Sequence, residues 1–351
     1  MLKKELEVAL VVIGAAIPLF VNADSMQKMH PGYNQAANYE IENGVAINIT
    51  ADYLYWKLSE DMSPVAALLK VTTLESSAVF NGTGKSVLLD PTYKTGFQIG
   101  AGLGLKGMDD WTLYAEYTWH QNKTDTSVKA GSGELLVIDP SITPRRYGAL
   151  VATDLDASFR LHYNAVDLSL QRTFYNGKKL TTLFGMGLRG LFVSQKYDVH
   201  TSGLSYFETG DPVLIPEPGF FDARQKLKSW ALGPRFSLEG NWLLGLGFRA
   251  RGDLAASILY TRYTTEEAAS ISILTHLLVS EASNHNTLRA VTETSLGIGW
   301  GAYLGEDKGC HFDLSASYEF NVFWNQGIAS MNGGSGNFYL QGLNVAARID
   351  F

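Results

Sequence analysis

The sequence predicts an all-β fold, a transmembrane antiparallel up-and-down β-barrel of about ten strands with long extracellular loops and short periplasmic turns. Three observations predict it. The 351 residues include 17 Tyr, 17 Phe, 7 Trp and 35 Gly, yet only 18% are charged and the mean hydropathy is −0.02. A barrel with lipid outside and a polar lumen gives this mixture, because its two faces cancel in any window average. Next, period-two segments are separated by stretches that alternate strictly between long and short. Last, Tyr339 to Phe351 alternates to its final residue, with Phe351, Ile349, Ala347, Val345 and Leu343 on one face. Such an edge invites aggregation in water. In a closed barrel the last strand pairs with the first and its apolar face meets lipid.

The chain divides into a signal peptide (1–23), a periplasmic N-terminal segment (24–43) and a barrel (44–351). Two lysines precede the apolar run Val8 to Val21, and Val21-Asn22-Ala23 is a small-residue cleavage pattern. Pro18 interrupts that run, which is too short for a spanning helix. Residues 24–43 are polar and aperiodic. The net charge of −7 argues against a nucleic-acid partner. Cys310 is the single cysteine, so no internal disulfide is available, and the sequence shows no metal or cofactor motif.

The first strand, Val45 to Leu58, sets Ile47, Ile49, Ala51, Tyr53 and Tyr55 against Asn48, Thr50 and Asp52. A long loop, 59–93, follows. In the second strand, Lys94 to Lys106, Phe97, Ile99, Ala101 and Leu103 alternate with Gln98 and glycines. After a turn at 107–110, the third, Trp111 to Gln121, carries Trp near both ends, where interfacial girdles place them. Loop 122–156 leads to the fourth, Ala157 to Phe174. Its apolar parity switches from Phe159, Leu161 and Tyr163 to Val166, Leu168 and Leu170, which predicts a bulge near Asn164 and Ala165.

Asn176-Gly177 marks a tight hairpin to the fifth strand, Lys179 to Gln195. Loop 196–226 precedes the sixth, Leu227 to Gly240, where Pro234 is awkward because it lacks a ladder donor. A turn around Asn241 opens the seventh, Leu243 to Tyr263, with Leu246, Phe248 and Ala250 facing lipid. Loop 264–286, the eighth strand Thr287 to Tyr303, a turn at 305–309, the ninth strand His311 to Trp324 and loop 325–336 complete the count. Both termini fall on the periplasmic side.

Inward parity selects the candidate site. The lumen-lining charges are Glu116, Arg160, Arg189, Arg235, Glu239, Arg249, Arg251, Asp253, Arg289, Glu293 and Glu319, with Asp313 and Arg348 beside them. Rings of such charges set ion selectivity. Alternatively they pair and fill the interior, since a barrel of about eight strands is packed with side chains and one of roughly 16–18 leaves a channel. Gly102, Gly104, Gly185, Gly187, Gly245, Gly247, Gly297, Gly299 and Gly301 fall in the periplasmic half of the lumen. They leave room for a water vestibule or for residues 24–43, or they relieve strand bending.

The segments ADYLYWK (51–57), GFQIGAGLGLKG (96–107), LYAEYTW (113–119), FRLHYNAVDLSL (159–170), FGMGLRG (184–190), WALGPRFSLEGNWLLGLGF (230–248) and the terminal RIDF carry a resemblance to the MOMP-like pore-forming proteins. These are the major outer membrane proteins of Legionella and the chlamydia-like bacteria. The resemblance implies an outer-membrane barrel of a Gram-negative bacterium that passes small solutes or ions by passive diffusion and exposes surface loops. It tips the balance toward a pore. Partners would be outer-membrane lipid, the outer-membrane assembly machinery, for which Phe351 resembles the recognition signal, and host surface molecules reached by the loops; an oligomer is compatible. One departure stands out: chlamydial members are often cross-linked through many cysteines, which Cys310 alone cannot do.

Two other classes compete. A non-conducting adhesin or structural barrel suits the long loops. An omptin-like protease would use Asp-x-Asp and Asp-x-His pairs to activate water at the outer rim. Asp154-Leu155-Asp156 and Asp198-Val199-His200 have that spacing. They top adjacent strands, however, whereas the omptin-like arrangement needs them facing across the barrel, so no catalytic residue and no enzyme activity is expected.

Overall fold

The computed structural model describes residues 36–37, 46–61, 65–74, 80–105, 110–138, 150–207, 214–216, 219–272, 279–304, 309–326 and 336–351. The expected signal peptide lies outside them. The strands are β1 (Ile47–Glu60), β2 (Ala66–Leu74), β3 (Phe80–Val87), β4 (Tyr93–Gly104), β5 (Thr112–Lys129), β6 (Glu134–Ile138), β7 (Leu150–Ala152), β8 (Asp154–Tyr175), β9 (Leu180–Ser202), β10 (Ser205–Phe207), β11 (Leu214–Pro216), β12 (Phe220–Gly245), β13 (Phe248–Ile271), β14 (Val279–Leu304), β15 (Cys310–Phe323) and β16 (Phe338–Asp350).

Ten of these, in the order β1-β16-β15-β14-β13-β12-β9-β8-β5-β4, close into an antiparallel barrel. The seam joins β16 to β1 from Asn48 opposite Asp350 to Glu60 opposite Phe338. The Phe351 amide then donates to the Ile47 carbonyl at 2.8 Å. The chain closes on its own first strand, and no barrel edge is left open.

The long stretches expected to be loops are largely strand. β9, β12, β13 and β14 run for 23, 26, 24 and 26 residues, where about 9–11 suffice to cross lipid. The remaining strands form a second sheet in the order β11-β10-β7-β6-β2-β3. Leu136, Ile138, Leu150 and Leu204 of this region are buried in one apolar cluster with barrel residues such as Leu155, Phe221 and Phe338. The second sheet therefore packs over the extracellular mouth.

Alternation alone did not reveal the strand extensions because its meaning inverts partway along them. On β9 the outward residues near the membrane are Met186 and Leu188, and further out Lys196, Asp198 and His200; the inward ones change from Arg189 to Leu191, Val193, Tyr197 and Val199. β8 changes from inward Asp167 and Ser169 to inward Tyr163, Leu161 and Phe159. Below the change apolar side chains meet lipid; above it they pack on one another inside, and the wall outside is wet. The expected bulge at Asn164 and Ala165 is absent: β8 keeps unbroken register with β5 and β9. The apolar parity switches because the solvent does, while the strand stays regular.

Two further corrections concern β12 and β13. The turn lies at 245–247 and not at Asn241: Gly245, Leu246 and Gly247 have φ of 110°, 54° and 82°. Gly245 and Gly247 are thus turn residues and not lumen glycines, and Leu246 projects from the turn, 94% exposed. A left-handed turn asks for glycine. Pro234 is accommodated by an interruption: the β12–β13 ladder skips from Leu232–Tyr260 to Arg235–Ser257 without changing register, while Pro234 stays opposite Leu188 on β9. There, a Cβ on Gly233 would lie 2.0 Å from the Ile258 carbonyl oxygen.

Candidate functional site: the charged lumen and its apolar cover

In the membrane-level half, the inward positions build a connected network of ion pairs. Arg189 on β9 donates to both oxygens of Asp167 on the neighbouring β8, at 2.7 and 2.6 Å, and also to Glu293 on β14. Arg235 on β12 donates to the same Glu293 at 2.7 Å and lies 3.7 Å from Asp167. The Arg189–Glu293 bond passes behind β12 and β13, so it cuts across the interior as a chord. Nearer the periplasm, Arg251 bridges Glu239 at 3.2 Å and Asp253 at 3.1 Å. Arg249 pairs with Asp313, and Arg348 with Asp350 at 2.5 Å. Glu319 and Asp52 share Asn344, whose amide donates to both, at 2.7 and 3.1 Å. Charges held this far from water persist only when paired and hydrogen-bonded.

Every expected lumen charge points inward except Arg160. That residue is exposed on the outer wall of β8, on the parity of His162 and Asn164; the inferred bulge had reversed it. Arg289 is inward but stands above the network, where its Nε donates to the Tyr263 hydroxyl at 2.8 Å. Asp167 is a lumen charge that the sequence reading does not name, although its parity after the expected bulge is already inward. Its signal was its position between outward Val166 and Leu168, opposite Glu116 on β5 and Arg189 on β9.

Beneath and among the charges lies a cavity of about 440 Å³, lined by Asn48, Asp52, Tyr114, Glu116, Glu239, Arg251 and Arg348, among others. Ala37, from the N-terminal segment, also borders it, its amide donating to the Thr173 carbonyl at 3.0 Å. Apart from Ala36 and Ala37, residues 24–43 lie outside the described residues. Glycines contribute less empty volume than expected. A Cβ on Gly299 would come 2.9 Å from the Arg249 guanidinium, which occupies the space, and one on Gly187 would lie 2.0 Å from the Leu168 carbonyl oxygen.

Above the network the interior is mainly apolar. Phe323 stacks on Phe338 with centroids 4.2 Å apart, Tyr163 meets Phe323 and Trp56 edge-on, and Leu191, Leu259, Val291 and Leu340 fill the gaps. His120 lies within this layer, 5.5 Å from Trp56 and fully buried. Neither of its ring nitrogens has a hydrogen-bond partner among the described residues. Outside, exposed aromatics form two belts, with Tyr53, Phe97, Trp230 and Tyr260 toward the extracellular side and Trp242, Phe248, Trp300 and Tyr303 toward the periplasm, where amphipathic rings settle at lipid–water interfaces.

The pairs considered for proteolysis, Asp154/Asp156 and Asp198/His200, sit on adjacent strands with Asp156 opposite His200, and all four point out of the barrel wall. The His200 ring lies 2.6 Å from Asp222. No group of residues able to hold a metal is present among those described.

A closed antiparallel barrel with a lipid-facing apolar band, two aromatic belts and a charged interior defines an outer-membrane β-barrel protein of a Gram-negative bacterium. A family model described as the Legionella pneumophila major outer membrane protein precursor matches residues 34–351, and the chain belongs to that family. No curated protein matches the sequence. Among solved structures, the outer membrane protease OmpT of Escherichia coli is similar at TM-score 0.39 and 12% identity, over 87% of this chain and 96% of that one. A Pseudomonas aeruginosa FadL homologue is similar at TM-score 0.23 and 9% identity, over 87% and 89%. The P. putida toluene transporter TodX is similar at 0.19 and 8%, again over 87% and 89%. At these TM-scores the neighbours inform neither substrate nor mechanism.

Proposed function

We propose that the protein is a narrow pore for small polar or ionic solutes, closed in this conformation by the apolar layer around Phe323 and Trp56. The observation that carries the reading is the charged cavity of about 440 Å³ directly beneath that layer. A structural barrel needs no chamber lined by charges of both signs, and buried charge is costly to keep. Hydrophobic constrictions gate by excluding water. The vacant ring nitrogens of His120 within the layer are hydrogen-bonding groups that water or a solute would meet in passing. Hydrolysis gains no support from the Asp154/Asp156 and Asp198/His200 pairs, which sit on adjacent strands and point out of the barrel wall.

Conductance of the refolded protein in a planar bilayer tests the reading. The wild type should show small, infrequent openings. Phe323→Ala with Trp56→Ala should raise the open probability or conductance several-fold, and Glu293→Gln should shift ion selectivity. Silence in the wild type and in the double variant would favour the non-conducting surface barrel. Phe351, exposed at the periplasmic end of the seam, we propose as the signal read by the assembly machinery; its removal should reduce insertion in cells and leave conductance of the refolded protein unchanged.

A further inference from the structure

The outer wall above the extracellular aromatic belt carries a row of like charges on four neighbouring strands. Lys123 on β5, Arg160 on β8, Lys196 on β9 and Lys226 on β12 are directly opposite one another across three successive ladders. All four point outward. At ~4.8 Å per ladder the row is about 14 Å long. Like charges directly opposite on neighbouring strands destabilise a sheet, and Arg160 has a lysine on each side. Among the described residues Arg160 has no carboxylate partner. The lysines do have partners: Lys123 pairs with Asp125 at 2.7 Å, Lys196 with Asp198 at 2.7 Å and Lys226 with Glu266 at 3.0 Å. These acids lie two residues further from the membrane, or on the next strand at the row's end. Such exposed pairs are weak and exchange readily.

Height identifies the ligand. Each cation stands four residues above a membrane-facing neighbour on its own strand: Lys123 above Trp119, Arg160 above Asn164, Lys196 above Phe192 and Lys226 above Trp230. Trp119, Asn164, Phe192 and Trp230 form one ladder row, three of them aromatic. With ~3.4 Å per residue and a tilt near 40°, the cations lie about 10 Å above those rings, among lipid headgroups. On the other side of β12 the row of cations ends, because Glu266 stands directly opposite Lys226 on β13.

We propose that the wall formed by β5, β8, β9 and β12 binds the phosphate groups of the outer-leaflet glycolipid, lipopolysaccharide, with Arg160 at the centre and the flanking lysines turning down from their carboxylates to share the anion. The acyl chains would then lie along the aromatic row and the apolar band below it. Bidentate guanidinium–phosphate bonding makes Arg the fitting central residue. This binding is independent of whether the lumen conducts.

The test uses the full-length refolded barrel in detergent, with folding verified by heat-dependent gel mobility. The protein is titrated with lipopolysaccharide, with the same lipid after phosphatase treatment, with phosphatidylethanolamine and with inorganic phosphate, and bound ligand is counted by native mass spectrometry. Lipopolysaccharide should bind in a salt-sensitive manner. Combining K123Q, R160Q, K196Q and K226Q should weaken it by at least about tenfold, and R160Q alone, which breaks no ion pair, by about threefold. K129Q with K178Q, two exposed cations off the row, should leave it unchanged. The proposal is overturned if R160Q and the combined variant bind like the wild type, if the dephosphorylated lipid binds equally well, or if inorganic phosphate alone occupies the row as tightly.

Discussion

The same strands build two opposite barrels. Between the periplasmic turns and the extracellular aromatic belt, β9 shows lipid Met186 and Leu188 and turns Arg189 inward. A few residues later it shows water Lys196 and Asp198 and buries Val193, Tyr197 and Val199. The backbone registers no event between these halves, since β8, β9 and β12 pair continuously through them. Secondary structure is therefore indifferent to the change, and only the surrounding solvent decides which parity is buried. The lower half is held by charge pairing inside and lipid outside; the upper half is held by an ordinary hydrophobic core.

Removing one member of the lower network is the most direct way to break this contrast. Arg189→Met leaves Asp167 and Glu293 with only Arg235 beside them and should cost about 3–5 kcal/mol, read from the urea midpoint of unfolding. Adding Glu293→Gln should recover part of that loss. A cost near zero would mean that water already screens the interior at this level. In the upper half, Phe323→Ala should cost about 3–5 kcal/mol through the cavity it opens. Leu296→Ala, at a lipid-facing position, should cost about 1 kcal/mol or less, because lipid fills the space. Equal penalties would show that Phe323 lacks the dry packing assigned to it.

The boundary itself can be located on one strand. Leu188→Arg and Ser194→Arg both place a cation on the outer face of β9; the first should cost about 2–4 kcal/mol, the second within about 0.5 kcal/mol. Similar values would put the boundary elsewhere. The smallest effect concerns Asp198, on the wet wall. Partial burial pushes its carboxyl upward, but hydrogen bonds from Lys196 and Arg224 outweigh this and hold it below the ordinary value of 3.8. A lowered carboxylate stabilises the fold above its unfolded pKa, and that contribution is lost as pH falls through the lowered one. Carboxyl NMR should show Asp198 titrating below the usual range in the wild type and returning toward it in Lys196→Gln with Arg224→Gln.

Much of this was legible in the residues. Parity placed Arg189, Arg235, Arg251 and Glu293 inside, and the alternation of long and short connections gave the ten barrel strands and the seam. The errors share one origin. A reading that keeps the apolar face outward throughout must answer the switch on β8 with a bulge, and that bulge puts Arg160 in the lumen. The extensions of β9, β12 and β13 do not read as strand in the sequence because polar residues outward and apolar inward do not look like a lipid-facing strand. The 245–247 turn was misplaced because Leu246 continues the apolar alternation on both sides of it.

The sequence by itself determined a barrel, its topology and the lipid-facing parity, because these follow from a two-residue period and from the need to satisfy every backbone group in lipid. Only the tertiary structure decided where that parity reverses, which charges meet and what covers them. Arg189 and Glu293 are 104 residues apart and lie on strands separated by two others. Their contact depends on the stagger with which the sheet closes, a quantity that no single strand encodes.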